Sequence, residues 1–152
     1  MPYDLKALTL RHPWPWAIVE LGKDIENRTW KPPRAMVGKW FAIHGGKAPK
    51  GDRATHDVVT QAQALLSMRG HSHASHRVTC SDVTHAGIVA VVRLGGVVED
   101  SRSVWFEGPY GWVLSDLWKV PDPPQMAGMQ GLWDVPESAV MELERQGAPW
   151  LG

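Results

Sequence analysis

Residues 8–30, LTLRHPWPWAIVELGKDIENRTW, decide how this chain folds. They continue the apolar–polar alternation of Leu5–Leu10 (LKALTL), the pattern of a half-buried strand. Prolines then open Pro13–Leu21 (PWPWAIVEL), where a fixed φ suits the first turn of a helix, and Gly22 supplies its stop. Lys23, Glu26 and Arg28 follow in a charged, extended segment closed by Pro32 and Pro33. In an extended chain Glu26 and Arg28 share one face, and Lys23 joins them only if a turn at Gly22 swings it back.

Further along the chain, Gly38–His44 (GKWFAIH) reads as a strand and GGKAPKGD as the loop behind it. Thr55–Met68 places Val58, Ala62, Leu65 and Leu66 at helical spacing and predicts the longest helix. Residues 67–86 are polar, rich in histidine and without period, which predicts a flexible loop with no regular structure. Gly87–Glu99 is a β-branched run that predicts a central strand buried on both faces and bulged at Gly95 and Gly96. YGWVLS, LWKVP and GLWDVP predict three more short strands, and Pro136–Arg145 a closing helix. Five or six strands with two or three helices, outside βαβ order, predict a single α+β domain over residues 1–152 built round a small barrel.

Composition narrows the function. Sixteen Lys and Arg balance sixteen Asp and Glu, so no broad basic face is on offer for a duplex. The charge is nevertheless polarised: residues 1–53 hold ten basic and five acidic residues, residues 100–152 three basic and eight acidic. A local basic pocket is the expectation. No stretch approaches the ~20 apolar residues of a membrane span, and the N-terminus lacks the layout of a secretory signal. With the single Cys80, this predicts a cytoplasmic protein without disulfide or membrane partner. Nucleotide-triphosphatase, dinucleotide and serine-hydrolase motifs do not occur, and no cofactor is predicted. His71, His73, His76, Cys80 and His85 match no standard metal-ligand spacing, so no metal is predicted either.

Lys23, Glu26 and Arg28 can grip a phosphate or a base edge through the cations, with the carboxylate accepting from an exocyclic amine; the plain alternative is a solvated ion-pair network. Arg11 is a second phosphate or base contact, and His44 a donor or proton carrier if it faces the same pocket. Trp14, Trp16 and Trp30 flank the charges and offer an aromatic wall, although core packing accounts for most of the nine tryptophans.

The strand, the proline–tryptophan helix and then Lys23, Glu26 and Arg28 resemble the ASCH domain, whose G-x-K-x-x-E-x-R signature they match except that the glycine, Gly22, falls one place late. His12 stands where that family often has glutamine. GKWFAIHGGK, GIVAVVRL, EGPYGWVL and GLWDVP resemble its further strands in order, so the resemblance covers nearly all the chain outside the histidine-rich segment. It implies a PUA-like β-barrel that handles single-stranded RNA or a modified nucleoside, with Arg11, Trp14, Trp16, Lys23, Glu26, Arg28, Trp30 and His44 as binding residues. Some small ASCH proteins deacetylate N4-acetylcytidine. That alternative makes Lys23 and Glu26 catalytic, with Glu99 or Glu107 as a further carboxylate, although those enzymes carry threonine at the place of Glu26. Ribonuclease activity using His44 is a third reading, and a protein-interaction adaptor a fourth.

Overall fold

The computed structural model describes residues 3–152. The elements run β1 (Lys6–Leu10), α1 (Trp14–Glu20), β2 (Ile25–Arg28), β3 (Trp40–Gly45), α2 (Asp52–Met68), α3 (Ser72–Ser75), β4 (Gly87–Val98), β5 (Tyr110–Lys119), β6 (Leu132–Asp134) and α4 (Glu137–Arg145). The six strands form one mixed sheet in the order β2-β5-β4-β3-β1-β6, curled into a half-barrel that the helices flank. Among the described strands only β1 and β3 pair in parallel, with Leu8 opposite Ile43; α1 and β2 make the crossover between them. The α+β barrel architecture expected from the sequence is the one observed, with α3 as an additional single turn.

Alternation along the strands sorts the core onto two faces. Ala7, Ala42, Val91 and Trp133 face α4, where Val140 and Leu143 cover them. Leu8, Phe41, Ile43, Val92 and Trp112 fill the inside of the curl beneath Ile18 of α1. A third cluster joins the far side of α1, through Trp16 and Ala17, to Leu65 and Leu66 of α2 and to Trp105. It supports one wall of the cleft described below.

Two expectations are revised. YGWVLS and LWKVP belong to one continuous strand, β5, because its middle residues Ser115 and Asp116 lie on a solvated part of the sheet and their polarity breaks nothing. Residues 67–86 carry α3 and a 3₁₀ turn at Ser81–Val83, and the fully buried Val83 ties them to the α1–α2 cluster. The glycine bulge in β4 is present: pairing slips between Leu94 and Gly96, and a Cβ on Gly95 would sit 2.8 Å from Cβ of Ser115.

Candidate functional site

The open side of the half-barrel lies between its edge strands β2 and β6, and the charged residues gather there, where β2 faces the Thr9 end of β1 beyond the β1–β6 pairing. Gly22, at φ +69°, ends α1 in a left-handed turn that few other residues adopt. The turn reverses the chain, so the Lys23 ammonium reaches back to the Ile25 carbonyl and lies 3.3 Å from Oε1 of Glu26. Glu26 and Arg28 point to the same side of β2, and Arg28 Nε lies 3.0 Å from Oε2 of Glu26. That contact is ionic, since its angle does not make a hydrogen bond. Arg28 also spans the opening, where Nη2 donates a long bond of 3.4 Å to the Thr9 carbonyl of β1.

Lys23 and Glu26 are both buried, at 5% and 8% exposure, so their charges are held in a poorly hydrated row. Burial pushes the Lys23 ammonium below the usual lysine range; the charges of Glu26 and Glu107 oppose the shift, and Arg28 adds to it. The Trp14 ring lies beside this row, with Lys23 Nζ 5.4 Å from its centroid.

Three adjoining cavities share Trp14. One of about 250 Å³ lies between Lys23, Glu26 and Asn27 on one side and Leu65, Met68 and Val104 on the other, with Glu107 at its rim. A second, of about 930 Å³, runs over Glu26, Arg28 and Trp30 to Arg11. The third, of about 650 Å³, continues past Arg11 and His12 to Lys47. Together they form a cleft with an aromatic post at its centre, and the second and third are each in the size range of small-molecule sites.

Of the residues singled out from the sequence, Arg11, Trp14, Lys23, Glu26, Arg28 and Trp30 all line this cleft. Trp16 does not: two positions along α1 from Trp14, it faces the other way into the core at 7% exposure. His44 lines none of the three cavities and is fully buried. Its Nε2 lies 2.8 Å from the Met126 carbonyl and must donate to it, so Nδ1 accepts from the Thr9 hydroxyl at 3.0 Å. Thr9 Oγ1 in turn accepts from Trp133 Nε1 at 3.1 Å. Burial pushes the His44 imidazole below its ordinary 6.5, only partly offset by the Met126 carbonyl.

Asn27 went unnoticed in the sequence. Its Nδ2 donates to the Trp105 carbonyl at 2.9 Å, and its Oδ1 accepts from the backbone of Glu107 and Gly108 at 2.8 and 3.0 Å. One side chain thereby pins the loop that brings Glu107 to the cavity of Lys23. Its position in an I-E-N-R strand between two charged residues was the available signal. His71, His73 and His76 are exposed, and among the described residues no three His, Cys, Asp or Glu side chains converge as a metal would require. No described helix is long and apolar enough to cross a membrane.

Fold and site together define a mixed half-barrel with an aromatic, charge-lined cleft at its opening. Compared with protein-family models and with curated proteins, the chain matches none.

Proposed function

We propose that this chain is an ASCH-type nucleic-acid-binding module that takes a base of single-stranded RNA, or a modified nucleoside, into the cleft beside Trp14. One observation carries this reading: a carboxylate held between two cations beside an indole ring, in a cleft roomy enough for a base. A base has a π-face for the indole and an edge of donors and acceptors for the charges, whereas a simple anion would be repelled by Glu26. Arg11 and Lys47, further along the cleft, suit the adjoining phosphates. Titration calorimetry with a single-stranded RNA octamer tests the reading. Saturable binding that weakens with salt, and at least about ten-fold with Trp14→Ala, is expected, since stacking contributes about 1–3 kcal/mol per base. Absence of saturable binding overturns it.

Glu107 favours a second reading. It shares the Lys23 cavity, and burial moves the Lys23 pKa downward, the direction that makes its amine a better proton acceptor. Water would add to the acetyl carbonyl of N4-acetylcytidine, the C–N bond would break, and the departing amine would take back the proton, leaving cytidine and acetate. Conversion to cytidine that vanishes in Lys23→Ala and falls sharply in Glu107→Gln would establish it; no conversion would eliminate it. The ribonuclease reading draws no support from His44, both of whose ring nitrogens are already bonded.

A further inference from the structure

Lys23, Glu26 and Arg28 present their hydrogen-bonding groups in a fixed order. Lys23 Nζ is on Oε1 of Glu26 at 3.3 Å and Arg28 Nε on Oε2 at 3.0 Å, so the row reads donor, acceptor, acceptor, donor. Each carboxylate oxygen has about two lone-pair sites; Lys23 occupies one on Oε1 and the Arg28 contact is ionic only, so each oxygen keeps at least one for a ligand. Lys23 has a third N–H beyond those directed at Ile25 and Glu26, and Arg28 keeps donors beyond Nε and the one given to Thr9. Glu26 lines both the cavity that Lys23 lines and the one that Arg28 lines, and Trp14 walls both. A planar edge laid against Glu26 therefore meets a cation at either end, with the Trp14 indole beside it.

We propose that this row reads guanine: O6 accepts from Lys23, N1–H and the N2 amine donate to the two oxygens of Glu26, and N3 accepts from Arg28. The inference rests on the base-binding reading above and names its specificity. Guanine's Watson–Crick edge runs acceptor, donor, donor, and N3, round the corner on the sugar edge beside the N2 amine, adds an acceptor for the Arg28 end of the row. Adenine and cytosine would set a ring-nitrogen lone pair against a carboxylate lone pair, leaving buried charge unpaired. Uracil, with acceptor, donor, acceptor, fills only one carboxylate oxygen and ranks second.

A calorimetric panel of uridine-flanked trinucleotides with G, inosine, 1-methylguanosine, A, C or U at the centre tests this. All members carry the same phosphates, so differences report the central base. UGU is expected to bind about ten-fold tighter than the inosine trinucleotide, which lacks only the N2 amine. Methylation of N1, which replaces a donor with a clash, is expected to cost about 100-fold, and A and C as much. Glu26→Gln, which sets an amide donor against a base donor, is expected to erase the preference for UGU; circular dichroism checks that the variant folds, and the inosine and 1-methylguanosine members stand whether or not it does. UCU or UAU binding as tightly as UGU, or indifference to N1 methylation, overturns the guanine assignment while leaving a base-binding cleft. No saturable binding by any member overturns the base-binding reading itself, and this inference with it.

Discussion

His44 and Glu26 are both withdrawn from water, and their surroundings treat them in opposite ways. Around His44 the chain from Trp133 through Thr9 to the imidazole and on to the Met126 carbonyl uses both ring nitrogens. Gly128 closes over it so tightly that a Cβ there would lie 2.1 Å from Thr9 Oγ1 and 2.8 Å from His44 Nδ1. Around Glu26 the charges are clamped but not saturated, and they open on a cleft. A buried polar group whose bonding is complete holds the fold together, whereas one that keeps spare lone pairs beside a cavity is poised for a ligand.

Removing Glu26 should have the largest effect. Glu26→Ala leaves Lys23, whose side chain is 4% exposed, without its counter-charge, and is expected to cost about 3–5 kcal/mol in denaturant unfolding. If the pair is there for binding rather than for the fold, Lys23→Met with Glu26→Leu should return most of that stability while nucleic-acid binding stays lost. Recovery of binding in the double variant would refute the contrast.

Next in size is the closed side. Gly128→Ala pushes a methyl into the Thr9–His44 bond and is expected to cost about 1–3 kcal/mol. Affinity is read instead in His44→Gln, since Gly128 and Thr9 themselves line the widest cleft cavity whereas His44, Trp133 and Met126 line none; binding of single-stranded RNA should stay within about two-fold of the parent. A large loss of affinity without loss of stability would place His44 in the site after all.

Much of this was legible in the sequence, and the failures have physical causes. The shared face of Glu26 and Arg28 follows from strand periodicity, and the return of Lys23 from the glycine that permits a left-handed turn. The β4 bulge was legible because paired glycines in a β-branched run have few other uses. The role of Asn27 was hidden because its partners lie 78 to 81 positions away and only tertiary structure brings them near. The continuity of β5 was missed because Ser115 and Asp116 imitate a loop when they merely face solvent opposite the β4 bulge. Val83 was overlooked because one buried valine in a polar segment has no period to announce it.

Acid should also weaken the fold, through His44 and His85. Burial lowers the pKa of both His44 and His85 from the ordinary 6.5, so the unfolded chain binds more protons than the folded one as pH falls through that value. The contribution is complete above pH 6.5 and is lost progressively below it, at up to about 1.4 kcal/mol per pH unit for each histidine. Chemical denaturation between pH 5 and 8 should therefore show stability falling on the acid side, with a shallower slope in His44→Gln. An unchanged slope would mean that His44 is not held neutral by the fold.

The smallest effect is expected where the ion-pair distance is shorter. Lys119 and Glu20 approach to 2.8 Å, against 3.3 Å for Lys23 and Glu26, yet their side chains are 61% and 40% exposed. Water screens that pair and ordering two mobile side chains costs about what the attraction returns, so Lys119→Ala should change unfolding free energy by less than about 0.5 kcal/mol. The two pairs join the same chemical groups, and burial is the main difference between them. Should Lys119→Ala cost as much as Glu26→Ala, the environment of the cleft would not be what sets its charges apart, and the reading of Glu26 as a group held in readiness would lose its basis.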